Sequence, residues 1–348
     1  MSGLDIEAPG ALERYLVDHG RVPAGEDGRL SARVLHGGVS NRTVRVRLPS
    51  GEEWVVKQAL AKLRVSVDWF ADPARIHREA LGMEVLCGLV PPGAVVRLLF
   101  EDEENHLLAM EAVPEPFENW KDALLDGRVV DESIDQFARL AAAIHTGGLR
   151  CPERLPPDFA DKSLFAALRV EPYYTYTASE HPEAAGFLCA LAAEVMEASV
   201  TLVHGDYSPK NILIHGGRLV LLDHEVIHLG DPAFDLGFSL THLLSKAHHL
   251  RDRRRDFARA ALRYWGAYAQ AVAGEPFAGK ELERRAVRHT LGCLLARVAG
   301  RSRLEYLDAG ERARQGRAAI RLMARPPVEV DELVERFVGL IGEDDGSD

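Results

Sequence analysis

Several side chains with oxygen atoms that accept hydrogen bonds or bind metals are spaced in this sequence as phosphoryl transfer requires. Asp206 and Asn211 lie in one polar segment that begins at His204, and Asp223 and Glu225 follow the next apolar run. Phosphoryl transfer needs one carboxylate that orients the attacking hydroxyl and further oxygen ligands that hold Mg²⁺ on the nucleotide phosphates. We predict that Asp206 is the catalytic base, with Asn211 beside it. Asn211 and Asp223 are the predicted metal ligands, and Glu225 is a predicted outer or second-metal ligand.

A hairpin has to bring these side chains together. Apolar runs predict strands at 212–214 and 219–222, and Gly216-Gly217 supplies the turn between them. The second strand then delivers Asp223 beside the loop that carries Asp206. The alternative is that these acids are ordinary turn and cap residues. The order and spacing of the whole set favour the catalytic interpretation, because they match the phosphoryl-transfer template.

The same residues carry a family resemblance. His204-Gly205-Asp206, Asn211 and the acid after the next strand resemble the catalytic loop of protein-kinase-like enzymes. The segment 231–237 is similar to that of the branch that contains aminoglycoside phosphotransferases and choline kinases. This resemblance implies an α+β, bilobal protein-kinase-like fold with a small antiparallel-sheet N-lobe and a larger, mainly helical C-lobe. It also implies ATP and Mg²⁺ as cofactors and a small hydroxylated molecule as the acceptor.

A glycine-containing segment, 36–41, lies between the first two predicted strands. Adjacent glycines let the backbone approach an anion, and loop amides can point at phosphate. A simple hairpin turn would also carry two glycines. The resemblance implies that this segment covers the nucleotide, through Gly37, Gly38, Ser40 and Asn41.

Lys57 closes an apolar strand in the same region, where a lysine is ordinarily a solvated strand end. The resemblance implies that Lys57 binds the α- and β-phosphates and pairs with a glutamate on the next helix, predicted at 73–87. Glu79 is the preferred partner because it lies beside the apolar helical face, and Glu84 is the alternative. Strands at 95–100 and 106–110 follow. In this fold adenine hydrogen-bonds to the backbone of the segment after them, so Glu111 and Val113 are predicted nucleotide contacts.

These assignments predict two lobes and a tail. Residues 1–113 form the nucleotide-binding lobe, residues 114–341 form the catalytic and substrate-binding helical lobe, and the acidic tail 342–348 is disordered. The helix predicted at 133–145 stops at Gly147-Gly148, with His145 at its end. Asp235, near the start of a later helix, is expected to brace the catalytic loop. The histidines at 242, 248 and 249 are interpreted as surface residues, because no acid or cysteine completes a metal set.

Two further stretches are similar to methylthioribose kinases, a group within the same superfamily. One is the run 57–60 together with Trp69 and Phe70, which either anchor a loop by packing or form a lid. The other is the helix that contains Arg297. Those kinases carry an arginine pair for their sugar where this sequence has Ala296-Arg297, so the resemblance implies a substrate contact by Arg297. An ion pair with an acid of the same lobe is the alternative, because buried arginines are usually paired.

Composition and charge narrow the function classes. The chain has 348 residues and a formal net charge of −11, which argues against nucleic acid as a main partner. No apolar run is long enough to span a bilayer, so no membrane partner is expected. The acidic start lacks the basic end and apolar core of a signal peptide. The four cysteines are far apart in the sequence, and we predict that they are reduced thiols. These features predict a cytoplasmic enzyme and leave a homodimer open.

The predicted function is therefore ATP-dependent phosphorylation of a hydroxyl on a sugar-like or amino-alcohol substrate. One alternative is a catalytically weak nucleotide-binding pseudokinase module, which would have no need to keep Asp206. Another is a protein kinase. An Ala-Pro-Glu motif is absent after Asp223, and the span from Asp223 to Asp231 is too short for an activation segment.

Overall fold

The computed structural model describes residues 4–23, 30–36, 38, 40–64 and 70–343. In this part of the chain a five-stranded antiparallel sheet precedes a larger region built mostly from helices, as predicted. The strands lie in the order β1-β2-β3-β5-β4. Their bounds are β1 (Ser31–Val34), β2 (Asn41–Arg47), β3 (Glu53–Ala59), β4 (Leu98–Asp102) and β5 (Leu107–Glu111).

The larger region contains two small sheets and most of the helices. One small sheet has the order β6-β8-β9 and the other pairs β7 with β10. These strands are β6 (Phe117–Asn119), β7 (Thr201–Val203), β8 (Ile212–His215), β9 (Arg218–Leu221) and β10 (His228–Gly230). The α-helices of the described chain are α1 (Ala11–Asp18), α2 (Arg75–Cys87), α3 (Trp120–Leu125), α4 (Asp131–Arg150), α5 (Ser163–Phe165), α6 (Tyr176–Glu180), α7 (Pro182–Glu197), α8 (Pro232–His249), α9 (Arg254–Ala271), α10 (Lys280–Ala299), α11 (Ala309–Met323) and α12 (Val330–Glu343).

The five-stranded sheet is covered by a helix on each face. Successive side chains of a strand point to opposite faces. Val46 and Val56 therefore pack in one cluster with Leu12 of α1, whereas Val55 packs in a second cluster with Ile76 of α2. Helix α1 thus covers one face of the sheet, and α2, on the other face, is the helix that brings a glutamate to Lys57.

Helix α4 continues through the two glycines that were predicted to end it. A Cβ on Gly148 would lie 2.4 Å from Leu202 Cβ and 2.7 Å from the Leu202 nitrogen. The glycine therefore marks the close approach of α4 to β7 and is not a stop signal. As a result His145 lies inside the helix, and its predicted position at the helix end is wrong.

The helical stretch between α5 and α6 is unusual. Residues Ala166–Thr175 form a π-helix with Pro172 inside it. Proline has no N–H to donate, which favours a local departure from α-helical hydrogen bonding. The Pro172 carbonyl accepts from the main-chain nitrogen of Arg301 at 3.1 Å, just after α10. This segment carries Arg169 and Tyr173 into the interior of the helical region.

The C-terminal helix and the connection between the two regions bear on the predicted domain bounds. Helix α12 ends at Glu343, so its last two residues overlap the predicted tail, and residues 344–348 lie outside the described chain. Residues 112–116 join β5 of the first sheet to β6, which pairs with β8. The boundary at 113 stays a prediction. No described helix is long and apolar enough to cross a membrane.

Candidate active site

The catalytic loop brings Asp206 and Asn211 into direct contact. The Asn211 side-chain amide donates to Asp206 Oδ2 at 2.7 Å and to the Asp206 carbonyl at 2.9 Å. The main-chain N–H of Leu222 donates to the Asn211 carbonyl at 2.9 Å, and this bond sets Asp223 beside Asn211. Both loop side chains are buried, with 5% and 3% of their surface exposed. The predicted hairpin is present and does what the spacing required.

Asp235 braces the main chain of this loop, as predicted. Its Oδ2 accepts from the nitrogen of His204 at 2.7 Å, and its Oδ1 accepts from the nitrogen of Gly205 at 2.8 Å. His145 Nε2 lies 3.2 Å from Asp235 Oδ2, and Tyr268 holds the other ring nitrogen of His145 at 2.8 Å. Burial opposes ionisation, but the hydrogen bond and charge of His145 outweigh it and lower the pKa of Asp235. The loop is therefore anchored to α8 and α4.

His204 and Gly205 fix the turn before the base. The N–H of Asp206 donates to His204 Nδ1 at 3.2 Å, so His204 Nε2 carries the proton and donates to His224 Nδ1 at 3.1 Å. Burial lowers the pKa of His204, which fits a neutral ring that braces the loop. Gly205 has φ +77°, and a Cβ there would lie 2.8 Å from the Val226 carbonyl. Only glycine fits that turn without displacing the backbone at Val226.

Lys57 pairs with the preferred glutamate. Lys57 Nζ lies 2.5 Å from Glu79 Oε1 and 3.9 Å from Asp223 Oδ1. Burial acts against the ammonium charge, but Glu79 and Asp223 outweigh it and raise the pKa of Lys57. Glu84, the alternative partner, is exposed on α2. The structure thus brings a cation from the sheet and the carboxylate of the hairpin to one place.

Asp223 has the features of a cation ligand. Its φ of +68° is rare for a residue with a side chain. Its Oδ1 is buried and accepts no hydrogen bond from the described residues. Burial disfavours its charge, but Lys57, Lys210 and Arg169 outweigh it and lower the pKa of Asp223 to about 2. An ionised oxygen without a hydrogen-bond donor fits a hard divalent cation.

Glu225 has a partner that the sequence did not indicate. Its Oε2 lies 3.0 Å from Nε of Arg75. The same guanidinium donates to the carbonyls of Ser40 and Leu60, so Arg75 connects the sheet region to the catalytic hairpin. Burial and the nearby Asp223 raise the pKa of Glu225 to about 7. A metal role for Glu225 stays a prediction and would have to coexist with this ion pair.

The glycine-containing segment predicted to cover the nucleotide is only partly described. Gly37 belongs to the residues that the structure does not describe, whereas Gly38 is exposed. Ser40 turns its carbonyl toward Arg75 and the Leu60 nitrogen. Asn41 is buried in β2, and its side-chain oxygen has no partner among the described residues. Their contact with phosphate stays a prediction.

The segment predicted to hold adenine is occupied by side-chain contacts of its own. Glu111 pairs with Arg97 at the surface, with 2.9 Å between Oε1 and Nε. The carbonyl of Val113 accepts from Arg45 at 3.2 Å. Contact of Glu111 and Val113 with adenine stays a prediction.

Arg169 is the site residue that sequence reasoning missed. Its Nη2 lies 2.8 Å from Asp206 Oδ2, and only 9% of its surface is exposed. A signal was present, because Arg169 lies between the apolar residues Leu168 and Val170. A guanidinium in such a position needs an anion. The spacing of residues in the sequence did not indicate which anion Arg169 would contact.

Arg297 is buried but has no carboxylate partner in the described chain. Its Nη1 donates to the Tyr173 hydroxyl at 3.0 Å, and to Oγ (2.7 Å) and the carbonyl of Ser302. The ion-pair alternative for Arg297 is therefore wrong. Arg301, which follows the same helix, does have a carboxylate partner, because its Nε lies 3.1 Å from Glu171 Oε1. A substrate contact by Arg297 stays a prediction.

Two smaller predictions are either wrong or concern residues outside the described chain. His242 and His248 are buried, not on the surface, because α8 is the central helix of this region. His249 is half-buried against Glu311, and no group of three metal-binding side chains occurs in the described residues. Trp69 lies outside the described chain. Phe70 is 66% exposed, so burial does not anchor it.

This fold and this site define a phosphotransferase of the protein-kinase-like class. A model of the phosphotransferase enzyme family matches residues 31–276, and the chain belongs to that family. Membership of this family makes the protein a phosphotransferase.

Solved structures show the same fold. A choline/ethanolamine kinase family protein from Mesorhizobium loti is 18% identical, with a TM-score of 0.56 over 94% of this chain and 99% of that one. A macrolide 2'-phosphotransferase from Brachybacterium faecium is 18% identical, with a TM-score of 0.53 over 91% and 98%. An amicoumacin kinase in complex with AMP-PNP and Ca²⁺ is 12% identical, with a TM-score of 0.58 over 91% and 95%. At these identities the likeness establishes the fold. No curated protein matches the sequence.

Proposed function

We propose that this protein transfers the γ-phosphoryl group of ATP to a hydroxyl of a sugar-like or amino-alcohol acceptor, such as a methylthioribose-like sugar or an aminoglycoside-type molecule. The observation that carries the proposal is the buried group of Asp206, Asn211 and Asp223 beside the Lys57–Glu79 pair. A turn or cap would not need a lysine from another sheet at 3.9 Å from its carboxylate. The AMP-PNP and Ca²⁺ bound to the amicoumacin kinase support a nucleotide and a divalent cation here.

Asp206 has the central part in the reaction. Its carboxylate orients the acceptor hydroxyl and takes up its proton as the oxygen attacks the γ-phosphorus, and the bond to the leaving ADP oxygen breaks. The Asn211 amide holds the carboxylate in position through its 2.7 Å hydrogen bond. Because the transition state is loose, positioning and charge neutralisation account for most of the acceleration.

The nucleotide would be held by the groups around Lys57. The ammonium of Lys57, fixed by Glu79, binds phosphate oxygens, and the amides of residues 37–41 cover them. Asn211 and Asp223 would hold Mg²⁺, with Glu225 further out, and the cation would neutralise charge on the phosphates. Adenine would hydrogen-bond to the backbone between Glu111 and Val113. A cytoplasmic location and a homodimer are parts of the prediction that these contacts leave open.

One observation favours the pseudokinase alternative. Arg169 occupies one oxygen of the proposed base, which would hinder a hydroxyl from binding there. Retention of Asp206, Asn211, Asp223 and Lys57 together favours catalysis, because a module that only binds nucleotide does not need the base.

Acceptor-dependent ADP formation distinguishes the two functions. We expect Mg²⁺-dependent turnover on at least one member of a panel that contains methylthioribose, other pentoses, aminoglycosides, choline and homoserine. Asp206→Ala should lower kcat by about 10²- to 10⁴-fold, the usual contribution of a general base, with nucleotide affinity unchanged. Equal turnover in the variant would refute the assignment of the base. Tight nucleotide binding without turnover on any acceptor would favour the pseudokinase.

A further inference from the structure

Positive and ionisable side chains are buried together where α8 meets α10. Lys246 is fully buried, and Arg297 and His242 have 8% and 5% of their surface exposed. The Lys246 ammonium lies 5.4 Å from the centre of the Tyr306 ring. The Arg297 guanidinium lies 5.7 Å from the centre of the Tyr173 ring. We call Lys246, His242 and Arg297 the basic cluster.

No carboxylate is bonded to the basic cluster in the described chain. The hydrogen bond that Lys246 makes there, to the His242 carbonyl, is 3.5 Å long, and Arg297 bonds only neutral oxygens. Among the acids, Glu305 raises the pKa of Lys246 most. However, Glu305 is already paired with Lys121, and 62% of its side chain is exposed. Buried charges are ordinarily paired, because unpaired ones are costly.

Polar atoms in the same place have no partner among the described residues. Arg297 Nε is buried without an acceptor, and so is the hydroxyl of Tyr306. Both can donate a hydrogen bond. Burial, with repulsion from Lys121 and Arg297, lowers the pKa of Lys246 to about 7. The cluster therefore combines the unpaired charge of Arg297 and unused donors with a lysine that a bound anion would help to keep protonated, which are the properties of an anion site.

The basic cluster adjoins the catalytic loop. Tyr173, which bonds Arg297, lies one helical turn after Arg169, which in turn contacts Asp206. Repulsion from Lys210 of the catalytic loop contributes to the lowered pKa of His242. An acceptor with its hydroxyl at Asp206 could therefore extend to the cluster.

We propose that the acceptor alcohol carries an anionic group, a carboxylate or a phosphate, that binds at the basic cluster. Arg297 and His242 retain exposed surface and would contact the anion directly, together with the hydroxyl of Tyr306. Lys246 is fully buried and would contribute charge without reaching the surface. The proposal rests on the proposed function for its acceptor, and it narrows that acceptor to anionic alcohols, against the cationic aminoglycoside or choline type.

Inorganic sulfate is the first probe, because its binding does not depend on turnover. Thermal unfolding is measured in sulfate and in chloride at equal ionic strength, with and without Mg²⁺·AMP-PNP, which blocks the phosphate-binding groups of the nucleotide site. Sulfate should raise the melting temperature of the wild type with nucleotide present. The rise should be lost in Lys246→Met, which removes charge but no short hydrogen bond. Arg301→Met is the matched control, since it removes the same charge from a residue already paired with Glu171.

The outcomes of the sulfate experiment either support or overturn the anion site. Loss of the sulfate effect in Lys246→Met, with a higher melting temperature in chloride, supports the anion site, because an unpaired buried charge has been removed. Equal sulfate effects in the wild type, Lys246→Met and Arg301→Met overturn it. A lower melting temperature in chloride with the sulfate effect unchanged overturns it as well and makes the lysine structural.

Turnover on matched acceptors identifies the anion. Ribitol, ribonate and ribose 5-phosphate represent neutral, carboxylate and phosphate-bearing alcohols, and kanamycin represents a cationic one. KM should be at least about tenfold lower for an anionic acceptor than for ribitol, and Lys246→Met should raise only the anionic KM, by about 10- to 100-fold. Turnover on ribitol or kanamycin with no anionic preference overturns the inference and leaves the proposed function standing. Sulfate binding lost in Lys246→Met without turnover on any acceptor supports the anion site and contradicts the proposed function.

Discussion

Arg169 Nη2 lies 2.8 Å from Asp206 Oδ2, and both side chains are buried. The oxygen that Arg169 contacts is the one that also accepts from Asn211. A guanidinium at that distance neutralises the carboxylate while no acceptor is bound. In the proposed reaction the guanidinium would lie beside the attacking hydroxyl, where an arginine can stabilise the negative charge of the transition state.

Replacement of Arg169 should therefore reduce turnover more than nucleotide binding. We expect Arg169→Met to lower kcat by about 10²- to 10³-fold, the usual loss when one preorganised donor is removed. The affinity for Mg²⁺·ATP, measured by titration, should stay within about threefold of wild type. Arg301→Met is the control, because its charge is exposed and paired elsewhere. A stable Arg169→Met variant with wild-type kcat would make Arg169 a structural partner of Asp206 only.

The carboxylate of Asp223 can be tested through the metal. Asp223→Asn keeps a side chain that tolerates the left-handed backbone at this position but removes the charge that a hard cation prefers. We expect the affinity for ATP with Mg²⁺ to fall by at least about tenfold, with metal-free ATP little affected. Equal losses in the two titrations would show that Asp223 supports the fold around Lys57 and holds no cation.

The local parts of the site could be predicted from the sequence. The hairpin that joins Asn211 to Asp223 is short, so apolar runs and a glycine turn define it. The pairing of Lys57 with a helix glutamate was implied by the family resemblance, and the apolar face of the helix favoured Glu79 over Glu84. These inferences needed only neighbouring residues and a known template.

The distant contacts could not be predicted in this way. Arg75 and Glu225 are 150 residues apart in the chain, and Arg169, on a π-helical segment, contacts Asp206 on a different element. Periodicity locates a side chain on an element but does not tell which other element it will face. The helix end predicted at Gly147-Gly148 was wrong for the same reason. A glycine that ends a helix and one that admits a neighbouring strand look alike until that strand is placed.

Gly148 gives a stability prediction with an internal comparison. Gly148→Ala would press a methyl group against the Leu202 backbone, so we expect a loss of about 1–3 kcal/mol in unfolding free energy, as in overpacked cores. Gly186 lies within α7 with open space around it, and Gly186→Ala should stabilise the protein by about 0.5–1 kcal/mol. Urea unfolding measures both. Similar changes at the two positions would contradict the close packing of α4 on β7.

Two buried histidines are held neutral by the fold. His289 Nδ1 lies 2.8 Å from the Tyr174 hydroxyl, and His228 Nδ1 lies 2.8 Å from the Val226 carbonyl. Burial lowers the pKa of each to about 4, against an ordinary value near 6.5. In an unfolded chain both would take up a proton between these two pH values, whereas in the folded protein they would not.

The stability of the protein should therefore fall in mild acid. Because the folded-state pKa of His289 lies below the unfolded one, its contribution is fully present above pH 6.5 and is lost as the pH falls from there toward 4. From pH 7 to 5 the loss should be about 2 kcal/mol for each such histidine, at about 1.4 kcal/mol per pKa unit. His289→Gln cannot take up that proton and still offers a partner to Tyr174. We expect urea unfolding to show a difference between pH 7 and pH 5 that is smaller in His289→Gln by that amount, whatever the variant does to stability at pH 7. If the difference between the two pH values is the same in both proteins, His289 is not the neutral buried group that its contacts indicate.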